Sequence, residues 1–147
     1  MKAQYSQTIA KQSDTTYTDA GYHVHMLTVA EVAYFNSIAQ AAIASAGVDI
    51  EIVTRDLEKV HGQENSLGAY WYAVDGSKSF ITIDNYHIHD RYEIEVLGKK
   101  DYFHEISLAE TICHELAHTQ YHNHTKGHAA LTASFLATMR SKGAKSA

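Results

Sequence analysis

Proline is absent from this chain of 147 residues, and cysteine occurs only once, at Cys113. One cysteine cannot form a disulfide within the chain, and zinc ribbons and fingers need several thiolates. No apolar run reaches the roughly 20 residues of a membrane-spanning helix, and the polar first residues lack the apolar segment of a signal peptide. These absences predict a soluble, cytoplasmic protein with no membrane partner.

Acidic residues are missing from the end of the chain, since all 17 of them lie at or before Glu115. The basic residues that follow are few and scattered: Lys126, Arg140, Lys142 and Lys145. A nucleic-acid footprint usually has more positive charges, interleaved with aromatic residues. We therefore expect no nucleic-acid partner, and the sequence leaves the oligomeric state open.

Local signals predict the first half of the fold. Thr28 and Glu31 form a capping box that opens a helix over about residues 29–46, which Gly47 ends. An alternating run over 49–54 predicts a strand, and two β-rich runs, 69–74 and 79–84, predict a hairpin through an Asp-Gly turn. Residues 86–96 are compatible with a further strand or a long irregular loop, and residues 1–22 with a mobile arm or an edge strand.

Two helices are predicted after residue 107. Ser107 and Glu110 form a second capping box, and an apolar stripe of Leu108, Ile112 and Leu116 follows. This helix should end near Asn123, and a last helix should run over about residues 127–139. The predicted fold is α+β, with an N-terminal helix, a mixed sheet of three or four strands and two C-terminal helices. We divide it into an N-terminal arm, 1–22, and one domain, 23–147.

The second capped helix carries the motif His114-Glu115-Leu116-Ala117-His118, H-E-x-x-H. Two histidines four residues apart lie on one helix face, so both imidazoles can bind one zinc ion. Glu115 then lies beside the metal, where it can act as general base on a water molecule that zinc activates. The pattern predicts a zinc-dependent metallopeptidase, although 11 histidines in the chain raise the odds of a chance match.

The third ligand must be a histidine if it lies downstream, because no Asp or Glu follows Glu115. On a continuing helix, His122 lies about 6 Å beyond His118 along the axis, too far to share the metal. His124 follows Asn123, where the chain can turn, and is our preferred ligand; His128 remains an alternative. A tyrosine can also stabilise the oxyanion of the transition state, and Tyr121 is our candidate among Tyr86, Tyr92, Tyr102 and Tyr121.

The stretch from His114 to Lys126 resembles the SprT-like and WLM-type minimal zinc peptidases, whose motif is H-E-L-x-H, a short gap, then N-H and a small residue. The resemblance covers about residues 79–136 and implies a zincin-like domain, with ligands His114, His118 and His124 and catalytic Glu115. It also implies that a strand of Phe80, Ile81, Thr82 and Ile83 is the sheet edge that pairs with an extended peptide. His128 stands where the family often has an aromatic residue, and the DNA-binding parts of some members are missing, so a DNA-repair role does not carry over.

Two hypotheses of different classes follow. In the first, the protein hydrolyses peptide bonds in a peptide or protein substrate, with zinc and Glu115. In the second, it is a catalytically inactive, zinc-stabilised module that binds a peptide or protein partner along the same sheet edge. A fourth protein ligand on the metal, such as His128, would favour the second hypothesis, since a catalytic zinc keeps an open position.

Overall fold

The computed structural model describes residues 16–19, 22–25, 27–55, 66–72, 79–99 and 106–146. Its elements in chain order are β1 (Thr16–Asp19), β2 (Tyr22–His25), α1 (Val29–Ala46), β3 (Glu51–Arg55), β4 (Gly68–Trp71), β5 (Phe80–Asp84), α2 (Asn85–Glu95), α3 (Leu108–Ala117) and α4 (Lys126–Ser146). The prediction of an α+β fold is confirmed. Over these described ranges, no helix is both long and apolar enough to cross a bilayer.

The larger sheet has the order β3-β5-β4, with β5 parallel to β3 and antiparallel to β4. The predicted hairpin pairing of β4 with β5 is therefore confirmed, while its Asp-Gly turn lies outside the described residues. The prediction that Phe80, Ile81, Thr82 and Ile83 form a sheet edge is wrong. They lie on the central strand, whose backbone pairs on both sides and cannot bind a peptide by strand addition. In the described part of the sheet, β4 is an edge.

The N-terminal strands form a separate two-stranded antiparallel sheet, in which Thr16 faces His25 and Asp19 faces Tyr22. For the described part of residues 1–22, the structure thus has a strand; residues 1–15 lie outside the description. The pairing crosses the boundary predicted between residues 22 and 23.

Helix α1 begins and ends where the sequence predicts. The Thr28 hydroxyl accepts a hydrogen bond from the Glu31 amide, and the Glu31 carboxylate accepts one from the Thr28 amide. Gly47 follows the last turn with φ 67°, a left-handed conformation that costs glycine little. The helix buries Phe35 and Ala39 against α3 and α4.

The prediction of a strand or irregular loop over residues 86–96 is wrong, because α2 occupies this segment. Asp84 caps the helix by accepting a hydrogen bond from the His87 amide. Two side-chain pairs four residues apart then support it, His89 with Glu93 and Arg91 with Glu95. The short alternation of histidine and isoleucine that suggested a strand was thus weaker evidence than the cap and the pair spacing.

Helix α3 opens as predicted, with the Ser107 hydroxyl accepting from the Glu110 amide, but it ends at Ala117 rather than near Asn123. The Thr119 hydroxyl donates to the Leu116 carbonyl at 2.7 Å, and such local bonds compete with helix continuation. A tight turn of residues 118–120 follows. We excluded His122 on the assumption that the helix continues to it, and that assumption is wrong. The loop of residues 121–125 can instead place other side chains near the helix.

His87 ties α2 to α3 inside the core. Its Nε2 atom donates to the Thr111 hydroxyl, 2.8 Å away, because that hydroxyl itself donates to the Ser107 carbonyl. Its Nδ1 atom is buried without a hydrogen-bond partner among the described residues. Burial, and secondarily the charge of Arg91, lowers the pKa of His87 to about 4.

We expect this histidine to make the fold acid-sensitive. Since its pKa is about 4 when folded and 6.5 in the reference state, the unfolded chain binds the proton first as the pH falls. The contribution of His87 to the free energy of unfolding is complete above pH 6.5. It is lost as the pH falls toward 4, a change of up to about 3 kcal/mol. Urea titrations of wild type and His87→Gln should therefore converge as the pH is lowered. Curves that stay parallel would contradict this.

Candidate metal centre

Helix α3 presents its motif as the sequence predicts. Leu108, Ile112 and Leu116 are fully buried, so the opposite side of the helix turns His114 and His118 toward one point. Their ring centroids lie 4.9 Å apart. The backbone carbonyl of Tyr121 accepts a hydrogen bond from Nδ1 of His118 at 2.9 Å. This bond fixes the tautomer and leaves the Nε2 lone pair free for a metal.

A third histidine reaches this point from α4. Thr125 opens that helix, its hydroxyl accepting from the His128 amide at 3.1 Å, which places His128 in the first turn. Its Nε2 atom donates to the His114 carbonyl at 2.9 Å, so Nδ1 keeps a free lone pair. Ligand nitrogens of His114, His118 and His128 all lie within 4.8 Å of one another and could bind a metal ion.

His124, the third ligand preferred from the sequence, lies at the same point. Its Nε2 atom is 3.1 Å from Nε2 of His114, and its ring centroid is 5.0 Å from that of His114 and 4.8 Å from that of His118. Unlike His118 and His128, which are buried, it is exposed. We call these four residues, His114, His118, His124 and His128, the histidine cluster. His122 lies outside it, stacked on Tyr72 at 4.5 Å.

The protonation states of His114 and His118 favour the binding of a cation. Burial lowers the pKa of His114 to about 4, and the charges of His128, His118 and His124 act in the same direction. Burial also lowers the pKa of His118, although the hydrogen bond that its ring donates to the Tyr121 carbonyl acts in the opposite direction. Both rings are therefore neutral at pH 7, which is the form that binds metals. The donor set fits zinc, for which imidazole is a preferred ligand.

Glu115 lies between the cluster and the sheet. It is 5% exposed, and one carboxylate oxygen is 4.0 Å from Nε2 of His114. No hydrogen-bond donor among the described residues reaches its carboxylate, and burial raises its pKa to about 8. A bound cation would favour the charged form of such a carboxylate. The group is thus placed to take up and release a proton near neutral pH.

Gly68 of β4 makes room for this carboxylate. A Cβ atom at position 68 would lie 3.1 Å from Cγ of Glu115, 3.1 Å from Cδ1 of Ile83 and 3.2 Å from the Thr82 carbonyl oxygen. These contacts are tighter than ordinary packing, so a larger side chain must push Glu115 or the strand away. A residue without a side chain therefore lets the edge strand lie close to Glu115 of the motif helix.

We expect Gly68→Val to destabilise the fold by about 1–3 kcal/mol and to displace Glu115 without removing the metal ligands. Metal content should stay as in wild type, while any activity that depends on Glu115 falls. Urea unfolding and metal analysis measure the two effects. Ala69→Val is the comparison on the same strand, because Ala69 also lines the cavity but already carries a Cβ atom; an equal loss in both variants would show that Gly68 has no special contact with Glu115.

A cavity of about 460 Å³ opens in front of Glu115 and the cluster. It is bounded by the backbone of β4 and by side chains that the sequence did not single out: Ser66, Tyr70, Tyr72, Ile106 and Thr111. Tyr70 also stacks on His118, with ring centroids 6.4 Å apart. The alternation of β4 marks which of its residues share a face, but only the folded chain shows that this strand borders the motif helix.

Tyr121 does not line this cavity. Its ring lies against Gly127, where a Cβ atom would come within 2.5 Å of Cε1 of the tyrosine. Its backbone carbonyl, which orients His118, is the part of the residue that contacts the cluster. A role for its hydroxyl stays a prediction. Of the other candidates, Tyr92 packs edge-on against Tyr34, Tyr86 lies on α2, and Tyr102 is outside the described residues.

Comparison with protein families, with curated proteins and with solved structures gives no match for this chain. The resemblance to SprT-like and WLM-type peptidases therefore stays a prediction that rests on the motif residues.

Proposed function

We propose that this protein is a zinc-dependent metallopeptidase with a zincin-like fold, in which Glu115 is the general base. The observation that supports this most is the joint placement of a buried carboxylate, with no hydrogen bond from the described residues, beside several imidazoles at one cavity. A purely structural metal site has no use for such a carboxylate. We place the activity in the cytoplasm, in keeping with a chain that has one cysteine.

His114 and His118 would hold the metal, with a third ligand from His124 or His128. Ring spacing favours His124, since two imidazoles on one tetrahedral zinc have centroids about 5 Å apart, and its distances are 5.0 and 4.8 Å. Burial and the free Nδ1 lone pair favour His128, whose ring lies closer, at 4.5 Å from His114 and 4.1 Å from His118.

When bound, zinc supplies a Lewis acid that polarises the scissile carbonyl and makes a water molecule more acidic. Glu115 would accept the proton of the attacking water and return it to the leaving amine. Burial raises the pKa of this carboxyl, and a bound cation would act in the opposite direction and favour the charged form that accepts the proton. Gly68 lies so close to Cγ of Glu115 that it limits where the carboxylate can lie.

An extended peptide would bind along β4, which borders the cavity and is the edge next to Glu115. In strand addition, hydrogen bonds to the peptide backbone provide affinity, and contacts with the peptide side chains determine which sequences bind. Tyr70 and Tyr72 line that path, so aromatic or aliphatic peptide side chains have apolar surface to contact. This replaces β5, which the resemblance implied, as the substrate-binding strand.

A binding module without turnover is the second candidate, and one observation favours it. His114, His118 and His128 form one possible metal-binding group, and Nε2 of His124 lies 3.1 Å from Nε2 of His114. If all four bound zinc at once, no open coordination position would be left for a substrate. Such a closed site would stabilise the loop between α3 and α4 and leave the β4 edge for partner binding.

The test is metal analysis combined with cleavage of an unfolded protein, such as reduced casein, before and after chelation and after zinc is restored. One zinc ion per chain, with cleavage that a chelator removes and zinc restores, supports the peptidase. One zinc ion without cleavage, together with peptide binding, favours the binding module. A metal-replete protein that holds no zinc overturns both proposals.

A further inference from the structure

The histidine cluster has one imidazole more than a catalytic zinc needs. Catalytic sites use three protein ligands and keep one position open, whereas both His124 and His128 join His114 and His118 here. The separation of Nε2 of His114 from Nε2 of His124, 3.1 Å, is close to the roughly 3.3 Å between two nitrogens on one tetrahedral zinc. His124 and His128 each meet part of the requirements for a zinc ligand, so both can be considered as ligands of the same ion.

The four side chains are held unequally. His118 and His128 are buried, and each uses its second ring nitrogen to donate to a backbone carbonyl. His124 is exposed, and among the described residues its ring has no hydrogen-bond contact other than Nε2 of His114. It can therefore leave the cluster without breaking a buried hydrogen bond, while removal of His118 or His128 would break one.

His124 also borders two recesses of the surface. Together with His114 and Ile106, it borders both the cavity in front of Glu115 and a second, largely apolar recess along α4 that includes Ala133 and Leu136. An extended peptide that used both recesses would pass close to the His124 ring, so a ring held on the metal there would obstruct it.

We propose that His124 is a displaceable fourth ligand, which closes the metal in the resting protein and gives way to a substrate or a small anionic ligand. This rests on the metal site of the proposed function and adds its regulation. In the exchange, one metal–nitrogen bond breaks, one metal–oxygen bond forms, and the imidazole moves into solvent without electron transfer. The resting protein is thus latent, and its four-histidine site is the closed state of a three-histidine site.

The experiment uses the full chain loaded with cobalt(II), whose visible absorption reports on the ligands. Acetohydroxamate is titrated into wild type, His124→Ala and the matched loop variant His122→Ala. We expect His124→Ala to keep its cobalt and to bind acetohydroxamate at least tenfold more tightly than wild type, while His122→Ala behaves as wild type. In wild type, acetohydroxamate should also remove one paramagnetically shifted imidazole N–H signal from the proton spectrum.

Two results with His124→Ala would overturn the proposal. If His124→Ala loses cobalt affinity by about a hundredfold or more, His124 is one of the three permanent ligands. If it keeps cobalt and binds acetohydroxamate as wild type does, His124 is not on the metal. The expected spectra in a protein that cleaves nothing would support the displaceable ligand and contradict the peptidase. A protein that binds no cobalt would overturn both.

Discussion

Cleavage of reduced casein by Glu115→Gln is expected to fall by a factor of about a thousand or more, while one metal ion per chain is retained. Glutamine has nearly the shape of glutamate but cannot accept the proton of the attacking water. The carboxylate is buried and makes no hydrogen bond with the described residues, so the amide should enter the same space without breaking a network. The loss should therefore appear in turnover rather than in folding.

Turnover and metal content of Glu115→Gln are best measured beside Glu51→Gln, which makes the same chemical change on the exposed side of β3. Residual cleavage within tenfold of wild type in Glu115→Gln would rule out its role as general base. Loss of the metal in that variant would show instead that the carboxylate supports the cluster.

His118→Ala is expected to weaken zinc binding by more than about a hundredfold, beyond the loss typical of a residue that only supports a ligand. The substitution removes a free Nε2 lone pair that the Tyr121 carbonyl orients. Because zinc binds the folded chain and not the unfolded one, the rise in melting temperature on adding zinc should disappear as well. Zinc titration against a chromophoric chelator measures the affinity, and thermal unfolding measures the linkage.

His122→Ala is the control for His118→Ala, since it removes an imidazole four residues away that stacks on Tyr72 and lies outside the cluster. It should bind zinc as wild type does. Equal weakening in the two variants would mean that zinc is held by scattered histidines rather than at the cluster, and would contradict the proposed centre.

Local signals in the sequence were sufficient for α1, for the start of α3 and for the motif face. In each case the deciding interactions lie within four residues, as in the capping box of Thr28 and Glu31 or the buried stripe of α3. The same kind of signal was present for α2, in Asp84 and the pair of Arg91 with Glu95. It was outweighed there by a short alternation that also suits a strand.

The order of strands could not be derived in this way. Phe80–Asp84 reads as an apolar strand in either a central or an edge position, and only pairing with β3, distant in sequence, makes it central. The strand beside Glu115 is β4 instead. It can lie there because Gly68 has no side chain to collide with Cγ of Glu115. Such contacts depend on how separate elements pack, and no local pattern records them.

The sequence by itself determined the α+β class, the two capped helices and the pairing of His114 with His118 beside Glu115, because helical periodicity fixes neighbours within one element. Only the tertiary structure decided that β4 is the strand next to the motif and that His128 joins His124 at the cluster. Those relations depend on where α3 ends and on how the first turn of α4 packs back against it. The free energy that sets them comes from the burial of the whole core rather than from any one segment.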